Sequence, residues 1–164
     1  MIFRLRRVHA FSLVEVTLAL GIAAFCLLAV FGLMPIGVQT NRNATSQTAA
    51  TNIMAAVVAD LRATPLTTPP GGATTSVQYQ IPIPQNPVTV STTIAPIFFA
   101  QDGTFSTTMQ PSSRYRLTVT FPPNGPAVHS PTYADVRVTW PAPVDPATTT
   151  TGGSVEMFAA FDRN

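Results

Sequence analysis

The sequence predicts an α+β protein, with one long N-terminal α-helix, membrane-spanning over its first half, packed against a small antiparallel β-sheet. Three observations predict it. An uncharged apolar run extends from Val16 to Val38. Beyond it, Ala50, Ile53, Met54, Val57, Val58 and Leu61 recur at spacings of three and four, which is one face of a helix. After Pro65 the apolar period changes to two, as in Tyr115, Leu117, Val119 and Phe121, which is the period of a half-buried strand.

The first element is the apolar run with its flanks. At ~1.5 Å per residue it is long enough to cross ~30 Å of hydrocarbon. Arg4, Arg6 and Arg7 precede it, and a basic N-terminal flank keeps that end in the cytoplasm and sends the C-terminal part across the membrane. A secretory signal also pairs a basic flank with an apolar segment, but that segment is only about 7–15 residues long and ends at a small-residue cleavage site. Here the run is longer and is headed by an acid, Glu15. An ionisable group there costs roughly 2.5–3.5 kcal/mol on insertion scales, so a functional reason for it is expected. Cys26, the sole cysteine, lies inside the run and reads as a small hydrophobe in a membrane helix; no intrachain disulfide and no cysteine metal cluster can form.

The residues Ala10-Phe11-Ser12-Leu13-Val14-Glu15 carry a resemblance. With the basic leader before them and the apolar span after them, they resemble the N-terminal cleavage and methylation motif of type IV prepilins and type II secretion pseudopilins. That pattern is a small residue, a cleavage point, Phe, a small polar residue, two aliphatics and Glu. The resemblance implies that prepilin peptidase, a membrane aspartyl protease, cuts between Ala10 and Phe11 on the cytoplasmic side and methylates the new amine. The family usually has Gly before the cut; Ala10 is also small, and slower processing is expected. The segments NRNATSQTAATNI, VRVTWP and the ending FDRN also look similar to prepilin-like proteins of the Verru_Chthon cassettes, the B group in particular. On this basis Phe11 and Glu15 are the assembly residues: the Glu15 carboxylate of one subunit pairs with the Phe11 amine of a neighbour, one helical turn apart in sequence, so that two charges costly alone become tolerable together. The alternative is that Glu15 only complements the positive end of its own helix, worth ~0.3–1 kcal/mol.

The helix is expected to continue past the span. Pro35 and Gly37 read as a helix breaker, since proline removes a backbone bond and kinks or opens the helix; the resemblance implies a region that can stretch during assembly. Asp60 and Arg62 fall off the apolar stripe, and the helix should end near Ala63, before Pro65. The expected segments are therefore a leader over 1–10, a transmembrane and assembly half over 11–38, an amphipathic half over 39–63, a linker over 64–76 with PPGG in it, and a sheet domain over 77–164.

Within the sheet domain, Val77, Tyr79, Ile81 and Ile83 alternate with polar or proline residues and read as an edge strand. Val88 to Ile94 reads as another strand. Ile97 to Ala100, then Asp102-Gly103 and Thr104-Phe105, read as a hairpin. Tyr115 to Phe121 and Ala134 to Trp140 alternate on either side of Pro122-Pro123-Asn124-Gly125, and Val155, Met157, Ala159 and Phe161 supply a closing strand. The resulting four to six strands cover the helix stripe.

Composition narrows the function classes. Without the three leader arginines the chain has six arginines against seven acids, a net charge of about −1 instead of +2, so bulk electrostatic binding of nucleic acid is not expected. His9 and His129 are the only histidines, His9 leaves with the leader, and His129 between Pro126 and Pro131 reads as a loop residue, so no catalytic constellation is expected. Asp102, Asp135 and Asp145 stand one per segment; gathered in space they would make a calcium site, which their spacing does not require. Arg114, Arg116 and Arg137, at alternate strand positions, read as a solvated face or a small basic patch.

The expected function is therefore a structural one: no enzyme, no cofactor and no metal, but a subunit, of the minor class, of a type IV pilus-like filament or a type II pseudopilus. Its expected partners are prepilin peptidase, other pilin or pseudopilin subunits, an inner-membrane assembly platform and the lipid bilayer. Its expected location is the bacterial inner membrane, single-pass, with the C-terminal domain periplasmic, and the filament or cell surface after assembly. Two alternatives remain open: a pilus-associated adhesin or DNA-uptake subunit, and a signal-anchored membrane protein that never polymerises.

Overall fold

The computed structural model describes residues 12–64, 74–125 and 131–161. The chain divides into two compact units, Met1–Arg42 and Asn43–Asn164, and one helix, α1 (Leu13–Ala63), contributes to both. Its ends agree with the sequence. The Ser12 carbonyl accepts hydrogen bonds from the Glu15 and Val16 amides at 3.0 and 3.2 Å, opening the first turn, and the helix stops two residues short of Pro65. The expected interruption at Pro35 and Gly37 is not found, because helical structure is continuous through both. Proline's missing N–H leaves one carbonyl without its usual donor, but the turns on either side keep their own bonds, and a Cβ added at Gly37 would meet nothing within 4 Å.

In the second unit α1 buries the expected stripe: Ala50, Ile53, Met54, Val57, Val58 and Leu61 all belong to the hydrophobic core. Among the described residues the second unit has eight strands, three of them long, and six of the eight form the main sheet. The eight are β1 (Thr74–Thr75), β2 (Pro82–Ile83), β3 (Thr92–Thr93), β4 (Ile97–Ala100), β5 (Phe105–Ser106), β6 (Ser113–Phe121), β7 (Thr132–Trp140) and β8 (Gly153–Phe161). Strands β1 and β2 pair apart from the rest, and the main sheet runs β5-β4-β6-β7-β8 with β3 pairing the far end of β6, all antiparallel. Leu117 stands opposite Val138 and Val119 opposite Val136, so the inward residues of β6 and β7 fall in common rows. Those rows, with Ile97, Phe99, Tyr115, Phe121, Ala134, Ala159 and Phe161, close the core against α1.

The expected hairpin at 97–105 is present. Gly103 takes φ 88°, and Asp102 Oδ1 accepts from the Thr104 amide at 3.0 Å and the Thr104 hydroxyl at 2.8 Å. These bonds hold the Asp102 carboxyl below its usual range. Trp140 lies across Gly153 on the neighbouring strand: a Cβ there would come 2.2 Å from Trp140 Cζ2, so the indole occupies the space a side chain would need.

Two strand expectations are corrected. In the segment 77–83, residues 77–79 form a turn and only Pro82–Ile83 lies in a strand; Tyr79, Ile81 and Ile83 are buried, but Val77 is exposed. The cause is Asp60, which is buried instead of lying off the stripe. Its Oδ1 accepts from the Gln78 amide at 3.0 Å and its Oδ2 from the Tyr79 amide at 3.1 Å, while Gln80 takes φ 55° and Ser76 and Ile81 bond to each other. A carboxylate that collects adjacent amides curls the chain, and an extended strand would point them in opposite directions. Burial first, and the Asp60 charge second, raise the Tyr79 phenol above its ordinary pKa. Likewise, of the expected strand at 88–94 only Thr92–Thr93 is strand, with the Ile94 amide adding one bond to the Val119 carbonyl at 2.9 Å, while the Val88 amide is taken by Asn124 Oδ1 at 2.8 Å and the Val88 carbonyl by the Asn124 amide at 3.1 Å.

Candidate functional site: the apolar helix surface

The first unit, over its described residues, is a helix with its apolar side chains outward on every face. Every large apolar residue from Leu13 to Val38 is exposed, from 46% at Val16 to 81% at Leu13. Thirty residues at ~1.5 Å each give about 45 Å of helix from 13 to 42. This is one helix long and apolar enough to cross a membrane. A helix apolar all round is suited to hydrocarbon or to the core of a bundle, because in water it would forgo about 25 cal/mol for each Å² of apolar surface left wet. Its few hydroxyls are satisfied within the helix: Thr17 Oγ1 donates to the Val14 carbonyl and Thr40 Oγ1 to the Ile36 carbonyl, each at 2.9 Å. A hydroxyl returned to the backbone costs little in lipid. Cys26 is exposed on this surface and Pro35 lies within it. Charge reappears at Arg42, where the unit ends.

Glu15 is the acid of the first turn, and its side chain is exposed with no hydrogen-bond partner among the described residues. The spacing Ser12-x-x-Glu15 is that of a capping box, and the position complements the positive helix end. Ala10, Phe11, Arg4, Arg6 and Arg7 lie outside the described residues, as does His129.

Elsewhere the structure distributes the sequence-nominated residues instead of gathering them. Among the described residues no group of three or more His, Cys, Asp or Glu is placed to hold a metal ion. Asp102 is occupied by its hairpin, and Asp145 pairs with Arg116 at 3.1 Å. The three arginines do not form a free basic patch. Arg116 is held by Asp145 and lies over the Phe98 ring, with 6.0 Å from its guanidinium carbon to the ring centroid; Arg137 makes a forked pair with Glu156, at 2.8 Å; Arg114 reaches Ser46 on α1 at 3.4 Å. Each charge found a local partner that strand periodicity alone does not name.

Asp135, on the same face as Arg137, has its carboxyl raised above the ordinary 3.8, by partial burial first and by the Glu156 carboxylate second, against the opposing pull of Arg137. The folded chain therefore keeps this proton to higher pH than the unfolded chain, so the residue takes away stability as pH rises above the usual carboxylate range. Asp135→Asn is expected to raise the melting temperature by about 1–3 °C near pH 7, with no gain near pH 3 where both chains are protonated. The effect is small because the group is partly solvated. Thermal melts of both chains at the two pH values check it.

Comparison of the chain with protein-family models, with curated proteins and with solved structures returns no match. The architecture itself, a long apolar N-terminal helix whose second half lies on a small antiparallel sheet, is compatible with a pilin-like fold.

Proposed function

We propose that the chain is a structural subunit of a pilus-like or type II pseudopilus filament, inserted in the bacterial inner membrane and assembled through α1. The observation that carries this is Glu15: a carboxylate with no partner among the described residues, one turn into a helix that is otherwise apolar on every face for some twenty residues after it. Prepilin peptidase cuts between Ala10 and Phe11, and the methylated Phe11 amine so formed is the cation for Glu15 of the neighbouring subunit. The arginines at 4, 6 and 7 hold the leader on the cytoplasmic side, the second unit faces the periplasm, and the assembly platform and other pilin-like subunits are its partners.

A second reading has its own observation. The Ser12-x-x-Glu15 spacing is that of a capping box and puts the carboxylate at the positive helix end, a role that needs no neighbour, as expected of a signal-anchored protein that never polymerises. The intact mass and N-terminal sequence of the membrane-extracted chain test the processing step. The expected result is a chain that begins at N-methylated Phe11. A chain that keeps its leader, or one that begins beyond Val38, overturns the filament reading.

A further inference from the structure

The outer face of the sheet, turned away from α1, carries a second feature. Its side chains fall in register across four strands: Thr93 on β3 stands opposite Thr120 on β6, Thr120 opposite Asp135 on β7, and Asp135 opposite Phe158 on β8. Three interstrand steps make this row about 14 Å long. A cleft of about 290 Å³ lies over the part of the row from Thr93 to Asp135, with Ile94, Pro96, Asp145 and Pro146 also in its lining. Arg116, Thr118 and Arg137 share its lining.

Arg116 pairs with Asp145 and Arg137 with Glu156, so both cations are engaged and Asp135 is left as the one uncompensated carboxylate of the cleft, which leaves no surplus cation to draw an anion. The carboxylates are also too dispersed to chelate a metal, as no such group forms among the described residues. What remains is hydrogen-bonding capacity. Among the described residues, the buried Arg116 Nε and the Thr118 hydroxyl each have no hydrogen-bond partner. A guanidinium left part-satisfied beside a cleft indicates a missing acceptor or a water. At the end of the row Tyr133 and Phe158 stack, with centroids 5.6 Å apart and planes 28° apart, and Phe158 is 63% exposed. An exposed ring backed by a half-buried one, beside threonine hydroxyls, two closed ion pairs and a single carboxylate that accepts hydrogen bonds, suits a ligand with C–H faces and many hydroxyls.

We propose that this face binds a neutral oligosaccharide, lying along the row from Thr93 to Phe158 with its hydroxyls on Thr118, Thr120 and Asp135 and a sugar face on the aromatic pair. The inference rests on the second unit alone and is independent of whether the chain polymerises.

The test is saturation-transfer NMR on the full chain in phosphocholine micelles, chosen because the detergent carries no sugar headgroup. The probes are maltopentaose, cellopentaose, chitopentaose and mannopentaose, with inorganic phosphate as the competing anion. At least one pentasaccharide is expected to bind with a Kd near ~1 mM, and Phe158→Ala and Thr118→Val are each expected to weaken it about tenfold without lowering the melting temperature. Binding should be indifferent to phosphate. The proposal is overturned if none of the four binds at about 20 mM, if both variants bind as the parent does, or if phosphate displaces the sugar.

Discussion

Replacing Glu15 with Ala is expected to remove the chain from filaments while leaving it in the membrane. The two outcomes separate because the carboxylate acts oppositely in the two steps. For insertion it is a burden of roughly 2.5–3.5 kcal/mol, so the Ala variant should enter the bilayer at least as readily as the parent. For assembly it is the partner of the Phe11 amine on an adjoining copy. Removing one member leaves the other charged and unpaired in a low-dielectric bundle, which costs about 3–5 kcal/mol for each contact. That is a loss of more than a hundredfold in each subunit addition. Shearing filaments from cells and comparing the chain in the sheared and membrane fractions measures both steps at once. The expected result is a full membrane fraction and an empty filament fraction. Equal entry of the Ala variant into filaments would eliminate the charge pair and favour the capping role suggested by the Ser12-x-x-Glu15 spacing.

Replacing Asp60 with Ala is expected to cost about 2–4 kcal/mol of folding stability. Asp60 is 8% exposed and accepts from two successive backbone amides, so its loss strands two donors in a place that water reaches poorly. Asp60→Asn should fall between the parent and Ala, because its one carbonyl oxygen serves one amide while its NH2 faces the other. Urea unfolding followed by tryptophan fluorescence checks the order, which should appear as lower midpoints with unchanged slopes. The variant also frees the Tyr79 phenol from a neighbouring negative charge, so the Tyr79 pKa should move down toward its ordinary value. An Ala variant as stable as the parent would mean that the 76–81 turn holds through Ser76 and Ile81 alone.

The helix was legible in the sequence because its signals are local and repeated. The apolar run, the 50–61 stripe and the stop before Pro65 each follow from spacing along the chain, and all three reappear in α1. The long strands β6, β7 and β8 were legible for the same reason, since alternation runs through most of each, although Met157 in β8, expected to face inward, is exposed. The segments at 77–83 and 88–94 show the same alternation but fold otherwise. Their backbone amides are taken by Asp60 and Asn124, residues 18 and 36 positions distant, and no period in the segment records such a partner. The break expected at Pro35 is absent for a different reason: a helix of 51 residues absorbs one proline while the turns on either side remain bonded.

The candidate site divides along the same line. By itself the sequence determined that a single acid heads a long uncharged apolar helix, because charge, length and order along the chain are properties of sequence. Only the tertiary structure decided that Asp60 turns inward, that Arg114, Arg116 and Arg137 each find a partner, and that Thr93, Thr120, Asp135 and Phe158 align in one row. The physical reason is that hydrogen bonds and ion pairs act over about 3 Å in space whatever the separation along the chain, and strand register sets which residues come within that reach.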